Sequence, residues 1–211
     1  MKKRAVQPEL LDGMAGDDPY AVRSRSDLVM INFLMGNLRW IRRAVACALA
    51  DGDLPVWEIG AGDGGLVMQL AEDGAAVTGV DLQPRPEEIG ESASWRESDV
   101  FDVLKEGISG VVVANLFLHH FQDRELAEMG RMLDEVEVIC VSEPWRSRLG
   151  LLEGYFLYPF VNSVTRHDMM ISIRAGFRRG ELPGLLGLGD EWELREECTK
   201  MGAYRMLAWR K

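Results

Sequence analysis

The architecture of this 211-residue chain follows from the segment Val56-Trp57-Glu58-Ile59-Gly60-Ala61-Gly62-Asp63-Gly64-Gly65. An apolar run with one acid inside it ends at closely spaced glycines, and residues 66–71 are typical of a helix. Glycines at such a strand-to-helix turn permit a tight backbone and the close approach of a ligand. Asp81 closes a second apolar run 21 residues after Gly60, where an acid can accept hydrogen bonds from ribose hydroxyls. The pattern predicts a pocket for a nucleoside-containing cofactor.

Two classes of cofactor fit this pattern. The spacing of Gly60, Gly62 and Gly65 satisfies the dinucleotide fingerprint, which would make the protein an NAD(P)-dependent reductase. The carboxylates of Glu58 and Asp63 would repel a pyrophosphate but attract the ammonium group of S-adenosylmethionine. We therefore favour the methyl donor over the dinucleotide. A glycine-rich turn that binds no ligand is the third alternative.

The bulk composition excludes several classes of protein. The formal net charge of -10 argues against generic nucleic-acid binding, which needs a basic face. There is no run of about 18 apolar residues, so we expect no membrane span, and no apolar stretch follows the basic N-terminus as in a secretory signal. The cysteines Cys47, Cys140 and Cys198 are scattered and odd in number. They indicate buried thiols of a cytoplasmic protein rather than disulfides or a metal site, and we expect no bound metal.

The order of predicted elements is that of an α/β protein. Residues 1–25 show no period and predict a flexible, loosely attached arm. A helical period over 28–49, capped at Ser26, predicts one leading helix that either covers the cofactor cleft or only packs on the sheet. Strands and helices then alternate up to residue 141, which indicates a parallel sheet with helices on both faces. The runs 192–198 and 203–209 predict a terminal hairpin, so the last strand is antiparallel.

The span from about Leu54 to Lys211 resembles the class I S-adenosylmethionine-dependent methyltransferases, of the small-molecule, ubiquinone/menaquinone-methyltransferase-like type. The resemblance rests on several motifs in the right order. It implies a Rossmann-like, seven-stranded, mostly parallel sheet with an antiparallel last strand, in one domain over 26–211. Within that domain it implies a leading helix at 26–50 and an acceptor-side lid region at 145–190.

The resemblance also implies the residues that bind S-adenosylmethionine. The segment from Glu58 to Gly64 matches the loop on the methionine side, Asp81 matches the acid that holds the ribose, and Asp99 matches the acid that bonds the adenine amino group. Residues 111–121 resemble the fourth-strand segment of this family. The implied cofactor-binding residues are Glu58, Gly60, Ala61, Gly62, Asp63, Asp81, Leu82, Asp99, Val100, Asn115 and Leu116.

Departures from related families narrow the acceptor. Asn115 is not followed by the Pro-Pro-aromatic motif of amino-directed nucleic-acid methyltransferases, and no magnesium-binding Asp/Asp/Asn set is evident. The resemblance thus implies a compact enzyme of secondary metabolism that methylates a small, aromatic or quinone-like acceptor, on oxygen in preference to carbon. A catalytically silent S-adenosylmethionine-binding protein is the alternative from another functional class.

The candidate catalytic residues are the three histidines of the chain, His119, His120 and His167. The adjacent pair follows the fourth strand, near the methyl-transfer centre of this fold, and one of the two is expected to face the pocket. It would act as a base or fix the loop by hydrogen bonding. His167 lies near a helix start at Thr165, with the spacing of a capping box, and is either a base or an exposed first-turn residue.

The candidate acceptor pocket comes from the segment that follows the fifth strand. Glu143 would orient the acceptor, or be a solvated strand end. Tyr155 and Tyr158 belong to an aromatic run, 155–160, that suits an apolar lid over a flat ring, ordinary core, or a homodimer contact. Residues 177–187 are rich in glycine and proline and predict a mobile rim without regular structure.

Overall fold

The computed structural model describes residues 3–50 and 52–211, and its centre is one seven-stranded sheet. The strand order is β3-β2-β1-β4-β5-β7-β6. β7 runs antiparallel to both of its neighbours, whereas the pairs among β1 to β5 are parallel. The predicted sheet with its backward last strand is confirmed. The strands are β1 Val56–Ile59, β2 Val77–Asp81, β3 Ser94–Glu97, β4 Gly110–Asn115, β5 Val136–Pro144, β6 Trp192–Cys198 and β7 Ala203–Arg210.

Helices cover both faces of the sheet. None of the described helices is long and apolar enough to cross a membrane. Within the described residues, three 3₁₀ turns lie between the other elements, at Leu11–Gly13, Leu118–His120 and Tyr158–Phe160. The α-helices of the described chain are α1 Pro19–Met35, α2 Asn37–Ala48, α3 Gly65–Glu72, α4 Val100–Lys105, α5 Asp123–Gly130, α6 Arg148–Leu157, α7 Ser163–Ala175 and α8 Glu181–Leu185.

The core has two apolar layers because the central strands are buried on both faces. Residues such as Val113 and Cys140 pack against α2 and α3, whereas Ala114 and Val141 pack in the layer that contains α4, α5 and α8. The chain leaves β1 toward β2 on one side and returns to β4 on the other. A ligand crevice forms at such a reversal of strand order, outside the carboxyl ends of the strands. The ends of β1 and β4 therefore locate the site.

The N-terminal helical region differs from its prediction. α1 begins at Pro19, where the Asp18 side chain accepts a hydrogen bond from the backbone N–H of Tyr20 at 2.7 Å. It ends at Gly36, whose φ of 67° is left-handed, and α2 starts at the next residue. The prediction of one helix over 28–49 is wrong, because the apolar period continues through the break while the backbone turns at Gly36.

Residues 4–12, which we call the strap, lie against the body of the protein. The Arg4 guanidinium donates hydrogen bonds to the carbonyls of Ala175 (2.8 Å) and Phe121 (3.1 Å) and to the Asp123 carboxylate (2.8 Å). Its Cζ lies 4.3 Å from the centre of the Phe177 ring. The structure thus differs from the expected loose arm, because charged residues of the strap pair with residues more than 100 positions away. Residues 1 and 2 of that predicted arm lie outside the described residues.

Two local predictions in the C-terminal half are also corrected. The supposed irregular rim contains α8, whose Leu182 is fully buried and whose Pro183 lies in the first turn, where proline is tolerated. α7 begins earlier than predicted, since the Asn162 side chain accepts a hydrogen bond from the Thr165 N–H at 2.9 Å. Thr165 is therefore inside the helix and is not its cap.

Candidate functional site

The glycine loop joins β1 to α3 at the reversal point of the sheet. Gly60, Gly62 and Gly64 have φ values of 70°, 56° and 73°, which residues with a Cβ rarely adopt. A Cβ at Gly62 would meet no atom within 4 Å, so the backbone is open to a ligand there. At Gly60 the close neighbour is the ring of Phe117, which a Cβ would overlap. The loop is open on one side and covered by an aromatic ring on the other.

Glu58 is a buried carboxylate that lacks a partner for one oxygen. Glu58 is 3% exposed, and its Oε2 has no hydrogen-bond partner among the described residues. Burial raises the pKa of this carboxyl well above its usual value, and the negative charges of Asp63 and Asp81 raise it further. A buried anion without a partner is costly, which makes this oxygen a natural place for a cationic ligand group.

The other predicted cofactor acids lie along the same edge of the sheet. Asp81 accepts hydrogen bonds from the N–H groups of Gly62 (2.8 Å) and Gln83 (2.9 Å). Asp99 caps α4 by accepting from the Phe101 N–H at 2.8 Å, and Asp63 accepts from the Gly65 N–H at 3.0 Å. A carboxylate has about four acceptor positions, so each retains capacity for a ligand. The predicted residues Ala61, Leu82 and Val100 follow the carboxyl ends of β1, β2 and β3, next to these acids in the chain.

The exit of β4 has an unusual backbone. Leu116 has a φ of 54°, and it is the one non-glycine residue with positive φ in the described ranges. Its N–H donates to the carbonyl of Ser142 at 2.8 Å, which holds the turn against β5. Backbone strain of this kind costs roughly 1–3 kcal/mol and concentrates at functional sites. The predicted cofactor residues Asn115 and Leu116 thus sit at a strained turn beside the glycine loop.

Four polar side chains near this turn form what we call the polar row: Asn37, Asn115, Ser142 and Arg205. Asn115 pairs in register with Ser142, and Ser142 with Arg205, so the three lie side by side on one face of the sheet. Asn37 joins them through Asn32, whose Oδ1 accepts from the Nδ2 groups of both Asn37 and Asn115. Each of the four has a buried polar atom without a hydrogen bond, and together they supply four of the six such atoms found in the described residues: Asn37 Oδ1, Asn115 Oδ1, Ser142 Oγ and Arg205 Nε.

His119 is enclosed between two carboxylates. Its Nδ1 lies 2.7 Å from Oε2 of Glu143, and its Nε2 lies 3.4 Å from Oε1 of Glu9. Burial opposes a charge on this ring, but Glu143 and Glu9 outweigh burial and raise the pKa of His119 to about 9. Glu143 itself is fully buried and also accepts from the N–H groups of Phe117 and Leu118. It is directed at the histidine and the backbone rather than at solvent.

The other two histidines approach the same strap. The ring centres of His120 and His119 are 4.3 Å apart, and His120 Nδ1 lies 3.7 Å from Asp12 Oδ2. Burial and the charge of His119 lower the pKa of His120. His167 is half-exposed on α7, with Nδ1 2.9 Å from Asp168 Oδ1. The Asp168 carboxylate accepts from the N–H groups of Leu10 and Leu11 in the strap.

Sequence reasoning missed Glu9 and Asp12. Both acids lie in a segment without a hydrophobic period, and no motif links them to His119 or His120. The pairing is made by tertiary structure, because α7 and the 3₁₀ turn Leu118–His120 pack together under the strap.

The aromatic run after β5 is largely on the surface. Tyr155, Phe156 and Phe160 are 54%, 70% and 64% exposed, so the alternative that these three form ordinary core is wrong. Tyr158 packs beside Tyr155 at a ring-centre distance of 5.1 Å. An acceptor lid and a dimer contact remain as explanations. The larger of the two described cavities, of about 360 Å³, lies elsewhere, between α5 and α8 at the opposite edge of the sheet.

A family model described as a methyltransferase domain matches residues 57–136, from β1 to the first residue of β5. The chain carries a methyltransferase domain. The matched residues contain the glycine loop, Asp81, Asp99 and the adjacent histidines, and the methyltransferase uses S-adenosylmethionine as its methyl donor. A search of curated protein sequences gives no match.

Solved structures share the fold at low sequence identity. The plantazolicin methyltransferase BamL, in complex with a triazolic desmethylPZN analog and SAH, has a TM-score of 0.73 at 12% identity, with 95% of this chain and 92% of that chain covered. The plantazolicin methyltransferase BpumL in complex with SAH has a TM-score of 0.69 at 11% identity, with 92% of each chain covered. Magnesium protoporphyrin IX methyltransferase (ChlM) from Synechocystis PCC 6803, with bound SAH, has a TM-score of 0.53 at 19% identity, with 83% and 84% covered. The methyltransferase therefore has the class I fold.

Proposed function

We propose that the methyltransferase methylates an oxygen atom of a small aromatic or quinone-like acceptor, at a site between the glycine loop and the polar row. The observation that carries the proposal is the unpartnered Glu58 Oε2 on the same sheet face as the polar row. Glu58 pairs in register with Val113, and Asn115 follows two residues later on β4. The residues proposed to bind the cofactor and those proposed to bind the acceptor then lie at the same edge of the sheet.

The residues present fit the methyl donor. Glu58 Oε2 would hold the ammonium group, Asp81 the ribose hydroxyls and Asp99 the adenine, while Gly62 leaves its backbone open to the ligand. When bound, the donor supplies an electrophilic methyl group on its sulfonium. The chain has to align the acceptor oxygen behind that methyl group and exclude water, and such alignment supplies roughly 7–11 kcal/mol.

The polar row fits an oxygen-bearing acceptor. Arg205 Nε–H is an unused donor, and Ser142 Oγ and Asn115 Oδ1 are unused groups next to it. The exposed rings of Tyr155 and Phe156 on α6 supply apolar surface suited to a flat ring system. One fold relative was solved with a triazolic desmethylPZN analog and another is named for magnesium protoporphyrin IX, and both names support a ring-containing acceptor.

We propose that His119 is a positioning residue and not the base. Both of its ring nitrogens are directed at carboxylates, Glu143 and Glu9, so neither is left to take a proton from an acceptor. His167, held by Asp168 beside the strap, is assigned a positioning role as well. The favoured acceptors are then oxygens that are already anionic at neutral pH, such as a carboxylate or an acidic phenol, with carbon as the second choice of atom.

Transfer of radiolabelled methyl groups from S-adenosylmethionine tests the proposal. The acceptor panel contains aromatic carboxylic acids, hydroxyquinones, neutral phenols and amines, and mass spectrometry locates the new methyl group. We expect oxygen methylation of the acidic compounds, with kcat/KM about tenfold lower in Ser142→Ala and unchanged in Ser94→Ala on the exposed strand edge. Transfer to amines alone would overturn the acceptor class. SAH binding without transfer to any compound would favour the catalytically silent alternative.

We further propose that residues 26–211 act as a single domain in the cytoplasm, with 145–190 on the acceptor side. Of the three cysteines predicted to be buried, only Cys140 is, whereas Cys47 is exposed and Cys198 is partly exposed. All three thiols are free, which supports a reducing compartment. The exposed aromatic run is the surface through which a homodimer would form. Light scattering of the wild type and of Phe156→Ser tests this assembly, since a dimer built on the run would dissociate in the variant.

A further inference from the structure

We propose that Glu9, His119 and His120 bind one divalent transition-metal ion that fastens the strap onto the turn after β4. The ion belongs to the class that prefers mixed nitrogen and oxygen ligands, represented by Zn²⁺ and Co²⁺. This site goes beyond the methyl transfer itself and departs from the sequence-based expectation of no metal.

The spacing of the ligand atoms suits such an ion. One side-chain nitrogen or oxygen from each of Glu9, His119 and His120 lies within 4.8 Å of the others. His119 Nε2 and Glu9 Oε1 are 3.4 Å apart, which is long for a charge-assisted hydrogen bond. Two ligands bound tetrahedrally at about 2.1 Å would stand about 3.4 Å apart. Small side-chain rotations complete the set.

The surrounding groups orient the first two ligands. Glu143 bonds His119 Nδ1 at 2.7 Å and thereby fixes the ring so that Nε2 points at Glu9. A carboxylate on the second ring nitrogen is the usual companion of a metal-bound histidine. Ser172 Oγ donates a hydrogen bond to Oε1 of Glu9, the same oxygen that faces His119, and so helps to fix the carboxylate. These partners already exist without an ion.

His120 offers a ring nitrogen that is not engaged in a hydrogen bond. In the part of the chain that the structure describes, its ring makes no hydrogen bond, although the side chain is largely buried. Asp12 Oδ2 lies 3.7 Å from its Nδ1, a distance close to that between two ligands of one metal ion. Asp12 is therefore placed to serve as the fourth ligand.

The local charge also calls for a cation. Three carboxylates, those of Glu9, Asp12 and Glu143, face two imidazoles whose ring centres are 4.3 Å apart. Arg4, the cation of the strap, is engaged with Asp123. A divalent ion would balance this excess of negative charge. Without it, the cluster is an ion pair network in which His119 bridges two acids.

Cobalt and zinc titrations of the tag-free full chain test the site. After treatment with a chelator, the protein is titrated with Co²⁺ while visible absorption is recorded, and the zinc content is then measured by mass spectrometry. We expect about one ion per chain and the intense visible bands of a low-symmetry cobalt site. In Glu9→Gln, which can keep the hydrogen bond to Ser172, and in His120→Ala, the bands should disappear and the metal content fall at least tenfold.

His167→Ala is the matched control, because it removes a histidine beside the strap that is outside the proposed ligand set. It should bind the metal as the wild type does. Circular dichroism and SAH binding establish that each variant is folded, and they separate failure of the metal site from failure of the proposed methyl transfer. Fewer than about 0.2 ions per chain, or equal binding in Glu9→Gln, His120→Ala and the wild type, would leave the cluster as an ion pair network and overturn the proposal.

Discussion

The aromatic ring of Phe117 lies directly on the backbone of Gly60. A Cβ at Gly60 would overlap the ring, which also packs edge-on against Phe121 at a centre distance of 5.0 Å. The turn after β4 is thereby held against the turn after β1, at the point where the strand order reverses. This position requires glycine for two reasons: the ring of Phe117 leaves no space for a Cβ, and the backbone is in the left-handed conformation.

Replacement of Gly60 by alanine tests this contact. Gly60→Ala should lower the free energy of unfolding by about 3 kcal/mol, from backbone strain of roughly 1–2 kcal/mol and the collision with Phe117. Gly62→Ala is the control, because it carries similar strain but meets open space, and it should cost only about 1–2 kcal/mol. Urea unfolding measures both. In a Phe117→Ala background the two glycine variants should become equal, and equal costs already in the wild type would contradict the contact.

Glu58→Gln should stabilise the free methyltransferase and weaken its binding of the cofactor. Burial raises the pKa of Glu58 in the folded state, so its contribution to stability is present below the unfolded pKa and is lost as pH rises through the folded pKa. We therefore expect the Tm of the wild type to fall relative to that of Glu58→Gln from pH 5 toward pH 8. Added SAH should reverse the order, because the ligand ammonium pairs with the ionised carboxylate. Parallel pH profiles without ligand would count against the assignment.

Two buried hydroxyls should respond in opposite ways to removal. Ser142 Oγ has no partner, so Ser142→Ala should change the free energy of unfolding by less than about 0.5 kcal/mol or raise it. Thr165 Oγ1 bonds Ser24 and Asp27 at 3.0 Å each, so Thr165→Ser should be tolerated while Thr165→Ala should cost about 1–3 kcal/mol. Chemical denaturation gives both values. A large loss in Ser142→Ala would mean that its hydroxyl already has a structural partner.

The strap should contribute measurably to stability. The Arg4 side chain is 6% exposed and makes charge-assisted hydrogen bonds to Asp123 and to backbone carbonyls. Arg4→Ala should therefore cost about 1–3 kcal/mol, whereas Lys3→Ala, at an exposed position, should stay within about 0.5 kcal/mol. Thermal unfolding of the two variants measures the difference. Equal Tm values would restore the loosely attached arm expected from sequence.

Local patterns explain why the sheet and the glycine loop could be predicted. The apolar run that ends at Gly60 and the acid Asp81, 21 residues later, form a pattern that few other structures share. The terminal hairpin is predicted by two strand-like runs separated by a short turn. The break at Gly36 was missed because the apolar period continues through that glycine. The helix α8 was missed for the opposite reason, because its glycine and proline predict a helix break when the tertiary contacts that decide their conformation are not known.

The histidine cluster could be predicted only in part. Its two adjacent histidines stand out in the sequence, and their place after β4 follows from the fold. Their partners Glu9 and Glu143 come from positions 110 residues before and 24 residues after His119, and no local pattern connects them. Ion pairs between distant segments depend on tertiary packing, which a periodicity analysis does not contain.

Calorimetric titration at pH 7.5 with SAH, and separately with NADH, tests the central claim most directly. The account predicts one SAH site per chain, an affinity lower by about tenfold or more in Glu58→Gln because a charge-assisted bond is lost, and no binding of NADH. Tight binding of NADH with no heat from SAH would contradict it, and so would equal SAH affinities of the wild type and Glu58→Gln.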